Sequence, residues 1–371
     1  MKLLVLKETS SNENRVALTP DLVSKYQKLG AEIFVEKNAG EKSSISDSDF
    51  EKSGAKIISD ISQILSEIDV IISVQRVDID FSKAKSGVVF IALLNPYFQK
   101  EKIAELAKKN VSAFALELLP RITRAQSMDV LSSQSNLAGY RAVIDAVFEM
   151  PKAVPMMMTA AGTITAAKFM ILGAGVAGLQ AIATAKRLGA VVCAFDVRAA
   201  AKEQVQSLGA KFIEVKSEEK VEGVYAREMS DEYKKQQEQL LKDTIKNQDV
   251  VIATALIPGK KAPILISEEM VKLMKPGAII VDLAAVNGGN CALTQSGKII
   301  ETNGVKIIGH ENFAARVASD ASKLFAKNIF NFIELLASKE SKSISINLED
   351  EIIKSALVTH QNNVVNDSLK S

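Results

Sequence analysis

The 371-residue chain is short of the side chains that most often carry chemistry, with two cysteines and two histidines. Cys193 and Cys291 each lie inside an apolar segment without a partner at metal-ligand spacing. That speaks against a disulfide framework or a zinc finger and fits buried thiols in a reducing compartment. His310 ends an apolar run and His360 lies in a polar tail, so both read as structural and no metal site is expected. No long block of one charge sign occurs: 46 basic and 44 acidic residues are interspersed for a formal net charge of +2. Nucleic acid is therefore a poor candidate partner, and small molecules or protein surfaces are better ones. No apolar run reads as a membrane span either. The least charged region, from Met156 to Ala185, holds Lys168 and is broken by glycines at 162, 173, 175 and 178. The N-terminus turns polar after six residues, too soon for a signal peptide.

What is present is the composition of a soluble globular protein, 47% apolar and 24% charged. The length exceeds what one core usually supports, so two domains are expected. Short apolar runs alternate with amphipathic segments almost from end to end, the pattern of an α/β protein with mostly parallel strands. The first third offers strands at Leu3–Lys7, Glu32–Glu36, Lys56–Ile58, Val70–Val74, Val88–Leu93 and Val111–Leu116. A helix opens at Thr19-Pro20, an N-cap with proline at the first helical position, and closes at Gly30. The middle third repeats the rhythm with strands Lys168–Leu172, Val191–Phe195 and Lys211–Val215, then Val250–Ala253, Ala278–Leu283 and Lys306–Ile308. The charged segment from Ser217 to Gln239 is too polar for a core. Ala314 to Ala337 reads as one long helix or two short ones, and Ser338–Ser371 as a tail or linker, ordered only in part.

Gly173-Ala-Gly175-Val-Ala-Gly178 follows a strand and opens a helix, the context a dinucleotide fingerprint requires. The first glycine allows the tight turn, the second lets the backbone approach a pyrophosphate, and the third lets helix and strand pack closely. Val176 falls within this turn, at the helix start where free N–H groups face phosphate. Asp196 ends the next strand, 23 residues after Gly173, where a carboxylate can accept bonds from both ribose hydroxyls. It would repel a 2′-phosphate, so NAD(H) is expected over NADP(H). Val197 and Arg198 follow it at the same strand end and are expected to contact the cofactor with it; Arg198 weakens the preference slightly.

A second constellation, "RITRAQSMDVLSSQSN" from Arg121 to Asn136, packs arginines, glutamines, one carboxylate and several hydroxyls together with no His, Cys or Lys. Gln126, Asp129 and Ser132 fall at spacing three, which suits a polar site and equally a capped helix start with an exposed polar face.

These residues carry a family resemblance over nearly the whole chain. The opening "KETSSNENRVALTP" resembles the N-terminus shared by alanine dehydrogenases and the NAD(H)-binding component of proton-translocating nicotinamide nucleotide transhydrogenase. The blocks "PRITRAQSMDVLSSQSNLAGYRAV" and "MMMTAAGTITAAKFMILGAGVAGLQAIATAKRLGAVVCAFDVR" resemble the transhydrogenase alpha subunit. Alanine dehydrogenases use a lysine, a histidine and an aspartate for imine and proton chemistry. Here "SVQRVD", with Arg76, stands at the lysine, "IALLNP" at the histidine, and Val286 at the aspartate. No general acid of tuned pKa is offered at these positions.

The resemblance implies two Rossmann-like lobes with parallel sheets and a cleft between them. The first lobe would be residues 1–135 rejoined by 315–371, and residues 136–314 would form the NAD(H)-binding domain. It implies that Arg121 and Gln126 hold the nicotinamide carboxamide or its ribose, that Asp129 and Ser132 orient the ring and meet the partner's nucleotide, and that Ile122 and Thr123 line the same wall. The stretch "KVEGVYARE" resembles a mobile loop whose tyrosine folds over the nucleotide: Tyr225 matches that tyrosine, and Val224 stands where a second glycine is usual. Gln237 and Leu256 match further cofactor contacts. The implied reaction is direct hydride transfer between NADH here and NADP+ on an NADP(H)-binding beta subunit, coupled to a membrane-spanning component. The chain would be a cytoplasmic homodimer, peripheral on the inner face of the membrane through its partners and incomplete without them. Hydride exchange between two nicotinamides moves no proton at the reacting carbons, which suits a pocket without a titrating base. Two alternatives remain, an amino-acid dehydrogenase of the alanine type and a non-catalytic NAD(H)-binding regulator.

Overall fold

The protein, seen as a computed structural model, is described over residues 1–215, 231–257, 259–338 and 342–369. It divides into two units, Met1–Gln134 with Ala315–Ser371, and Ser135–Ala314. The first opens with β1 (Lys2–Val5), α1 (Pro20–Lys28), β2 (Glu32–Glu36), α2 (Asp47–Lys52), β3 (Lys56–Ile58), β4 (Val70–Ile72), β5 (Val89–Ala92), α3 (Lys100–Lys108) and β6 (Ser112–Ala115). Helix α4 (Val130–Glu149) carries the chain across the division. The second unit holds β7 (Met157–Thr159), β8 (Gly162–Ile164), β9 (Lys168–Leu172), α5 (Val176–Arg187), β10 (Val191–Phe195), α6 (Ala201–Ser207), β11 (Lys211–Ile213), α7 (Asp231–Ile245), β12 (Val250–Ala253), α8 (Glu268–Leu273), β13 (Ile279–Asp282), β14 (Ile299–Thr302) and β15 (Val305–Ile308). The chain ends in α9 (Ala318–Leu336), α10 (Glu351–Ala356), β16 (Leu357–His360) and β17 (Asn363–Val364).

In the first unit β3-β2-β1-β4-β5-β6 are parallel neighbours, with β16 and β17 added antiparallel beyond β6. The strands β1, β4 and β5 are almost wholly buried, because a parallel sheet is covered on both faces. Helix α9 covers one face. Its Phe325, Ile329, Phe332 and Ile333 are fully buried at helical spacing, each contributing roughly 1.5–3 kcal/mol. Phe332 meets Phe114 of β6 edge-on, ring centroids 5.3 Å apart. Thr19 does precede α1, but its hydroxyl makes no cap bond and is buried without a partner; the proline at the helix start sets the entry.

The tail expectation is overturned. Residues 351–360 form α10 and β16, and Ile352, Ile353, Leu357 and Val358 are core. The tail is polar on average because few of its side chains face inward, these four with Ala356, Thr359 and Leu369. His360 has its structural partner in Ser112 Oγ, 2.9 Å from Nδ1.

The second unit's sheet runs β11-β10-β9-β12-β13-β15-β14, all parallel except β14. Both units thus have the α/β, parallel-rich, Rossmann-like order in which the chain reverses direction beside the first strand. β7 and β8 form a separate two-stranded hairpin, which short exposed runs did not reveal.

Candidate functional site

In an open parallel sheet, ligands bind beyond the carboxyl ends of the strands at the point where the strand order reverses. In the second unit that point lies between β9 and β12, and the turn leaving β9 is the glycine fingerprint. Gly173 has φ +96°, a left-handed conformation that disfavours a side chain. A Cβ on Gly178 would sit 1.8 Å from the Gly173 carbonyl oxygen, so helix and strand pack too closely there for any other residue. Gly175 differs: a Cβ there would meet nothing within 4 Å. It is the N-cap of α5, and no side chain caps the helix. The first N–H groups of α5 therefore lack an internal acceptor and face open room, the fit expected for a pyrophosphate.

Asp196, at the end of β10, ties this turn to the next strand. Its Oδ2 accepts from Ala174 N–H at 2.7 Å and from Arg198 Nη2 at 2.9 Å. Its Oδ1 accepts from Arg198 N–H at 2.8 Å and Arg198 Nε at 2.9 Å. Burial alone would raise this carboxyl's pKa, but the bonds from Arg198 and Ala174 hold it below the usual aspartate range. With four donors on two oxygens, a ribose diol has to displace the guanidinium. The charge at this end is an Asp–Arg pair, so the repulsion of a 2′-phosphate expected from Asp196 is reduced while Arg198 stays in place. Val176 is exposed at the helix start, and Val197 is half-buried against the core beside β10.

Beyond β12, Thr254 Oγ1 donates to the Gly173 carbonyl at 3.0 Å, joining the two sides of the reversal point. Leu256, 53% exposed, follows two residues later. Gln237 of α7 lines a separate surface pocket of about 250 Å³ with Leu241, Ile264 and Met270. That pocket includes no fingerprint residue. Val224 and Tyr225 lie outside the described residues.

The first unit has the same strand reversal between β1 and β4 but no glycine turn. Its strand ends are filled by side chains. Buried Arg15 pairs with Glu13 (Nε–Oε1 2.8 Å, Nη2–Oε2 2.6 Å) and donates to Gln134 Oε1 at 2.8 Å. Gln75 Nε2 donates to Glu13 at 2.9 Å, and Glu8 accepts from Val74 N–H at 2.7 Å. Burial, with Glu13 nearby, pushes the Glu8 carboxyl up to about 7. Sequence patterns did not reveal this cluster, in which Arg15 bonds to partners 2 and 119 residues away. Arg76 is engaged by Glu36 and Asp78, both at 2.7 Å.

The polar stretch after β6 forms a short 3-10 helix, Thr123–Met128, and then the start of α4. Arg121, Thr123 and Gln126 are exposed and Ile122 is half-buried against the core. Asp129 and Ser132 are brought together as a cap: Oδ1 accepts from Ser132 N–H at 2.9 Å, Oδ2 from Ser132 Oγ at 2.6 Å. Helix α9 holds the turn through Asn328 and Asn331, which both donate to the Ser127 carbonyl, at 2.9 and 2.8 Å. No group of three or more His, Cys, Asp or Glu side chains suited to a metal occurs among the described residues.

The protein-family descriptions "Alanine dehydrogenase/PNT, N-terminal domain" and "C-terminal domain" match residues 4–138 and 142–367. A Rhodospirillum rubrum protein, named as the first portion of NAD(P) transhydrogenase subunit alpha, is 51% identical, covering 100% of this chain and 99% of that one. The Rickettsia prowazekii protein of the same name is 46% identical over 99% of this chain and 96% of its own length. Among solved structures, a transhydrogenase from Sinorhizobium meliloti superimposes with TM-score 0.90 at 49% identity, covering 98% of this chain and 100% of that one. An L-alanine dehydrogenase shares the fold, with TM-score 0.82 at 22% identity. With both halves matched and such relatives over its full length, the chain belongs to the alanine dehydrogenase/PNT family, among the NAD(P) transhydrogenase alpha subunits.

Proposed function

We propose that this chain holds NAD(H) on its second unit and exchanges hydride directly with NADP(H) carried by a partner subunit, in an assembly with a membrane-spanning component. The observation that carries the reading is the glycine turn with open room at Gly175, an uncapped helix start, and Asp196 at the next strand end. When bound, the nicotinamide supplies the hydride, which leaves one ring carbon and joins another with its electron pair and no proton. The protein's own task is alignment and exclusion of water. Arg121, Ile122, Thr123 and Gln126 meet the nicotinamide end, and the Asp129–Ser132 pair orients it. Exposed Arg121 and Gln126 are available for that role.

The alanine dehydrogenase alternative is disfavoured because Arg76 is consumed by two carboxylates and Val286 is an exposed apolar side chain. No helix among the described residues is long and apolar enough to cross a membrane; attachment through the partner is part of this proposal. A homodimer belongs to this proposal, supported by the β7–β8 hairpin: Met157 and Ile164 are cross-strand partners 40% and 41% exposed, and Met158 beside them is 79% exposed. A contiguous exposed apolar patch is characteristic of contact surfaces.

The test is NADH oxidation by the purified chain, first with pyruvate and ammonia, then with an NADP+-loaded partner domain. Activity only in the second case is expected. Activity in the first refutes the reading, and silence in both leaves a non-catalytic NAD(H)-binding regulator.

A further inference from the structure

The segment leaving β12 and the loop leaving β13 are joined by one buried side chain that no motif marks. Asp282, at the end of β13, is fully buried, and its Oδ2 accepts from Asn290 N–H at 2.7 Å, Cys291 N–H at 3.0 Å and Thr294 Oγ1 at 2.6 Å. Its Oδ1 accepts from Ala284 N–H at 2.9 Å. A carboxylate receiving four donors fixes the loop into a knot. The knot leaves no room at Gly289, where a Cβ would lie 2.9 Å from Asp282 Oδ2.

Held this way, Asn290 turns its amide toward the neighbouring strand. Oδ1 accepts from Ala255 N–H at 3.0 Å, and Nδ2 donates to the Ala255 carbonyl at 2.9 Å and the Pro263 carbonyl at 2.8 Å. One N–H and two carbonyls around one amide fix its orientation. The side chain gives Ala255 the pair of bonds a neighbouring strand would give, two residues past the end of β12. Backbone bonds from Leu265 and Ile266 N–H to the Asn290 carbonyl, 2.8 and 3.0 Å, secure the segment's far end. Between these ties, Leu256 and Ile257 stay 53% and 41% exposed. They are apolar side chains on a clamped backbone, not packed into the core.

We infer that Asn290 is a positioning residue for the nicotinamide half of the dinucleotide: through Ala255 it sets Leu256 as the wall on which that half rests. The inference depends on the reading that the second unit binds NAD(H). A dinucleotide crossing the reversal point places its adenosine half over β9 and β10, where Asp196 stands, and its other half over β12 and β13. Asn290 acts on the β12 side alone. A merely structural clamp weakens binding of both halves together by loosening the unit.

The test compares NADH with ADP, which carries only the adenosine half, by calorimetric titration of the full chain. Asn290→Ala is expected to weaken NADH about tenfold while ADP stays within about twofold. Leu256→Ala, at an exposed position that folding tolerates, should lower the NADH-to-ADP affinity ratio in the same direction by about threefold. If NADH and ADP weaken together in Asn290→Ala, or the ratio is unchanged in Leu256→Ala, the positioning role is wrong. If the parent chain binds neither nucleotide, the NAD(H) reading itself falls, which keeps the two failures apart.

Discussion

Replacing Gly175 by alanine separates binding from folding better than any other change at the glycine turn. Its φ of −78° and ψ of −169° are ordinary for an L residue, and the new methyl touches nothing within 4 Å. Alanine is a poorer N-cap than glycine by roughly 0.5–1 kcal/mol, and the stiffer unfolded chain returns roughly 0.4–1 kcal/mol. The melting temperature should therefore stay within about 2 °C of the parent. Binding is another matter, because the methyl enters the room through which the pyrophosphate approaches the first N–H groups of α5. Moving the phosphates by about 1 Å weakens two charge-assisted bonds, each contributing about 1.5–3 kcal/mol when well formed. An affinity loss of about 100-fold, or about 2.7 kcal/mol, is expected. Calorimetric titration with NADH, paired with a thermal melt of the same samples, reads both quantities. An unchanged NADH affinity in a normally folded Gly175→Ala protein would show that the pyrophosphate does not cross this glycine.

Gly178→Ala should behave oppositely: the Cβ overlaps the Gly173 carbonyl oxygen at 1.8 Å, and opening the turn costs roughly 3 kcal/mol. A drop in melting temperature of about 6–12 °C would be observed, and a stable variant would contradict the packing described. Arg198→Met removes the guanidinium that fills two acceptor positions of Asp196, so NADH should bind roughly three- to tenfold tighter. Weaker binding would mean that Arg198 itself touches the nucleotide. Glu8 holds its proton up to about pH 7 when folded against an ordinary value of 4.5. The native state thus binds more protons than the unfolded chain between these values. This group's contribution is most favourable below pH 4.5 and declines as pH rises through 7, by about 3 kcal/mol in all. Denaturant titrations from about pH 5 to 8 should show that decline in the parent and a flatter profile in Glu8→Gln; identical profiles would exclude Glu8 as its source.

Local sequence by itself determined the alternation of strands and helices, since apolar runs such as Phe169–Leu172 can bury only as strands covered on both faces. It also determined the glycine turn and Asp196, because conformation and phosphate access there depend on residues within one βα unit and the next strand. Tertiary structure alone decided two things. It placed β16 beside β6, which a polar tail with a few inward apolar side chains does not announce. And it built the polar clusters, Arg15 reaching Gln134 and Asn290 reaching Ala255, whose partners lie 119 and 35 residues apart. Periodicity and spacing report contacts within a few residues along the chain. Hydrogen bonds between strand ends form only once the sheet has brought those ends together, so no reading along the chain contains them.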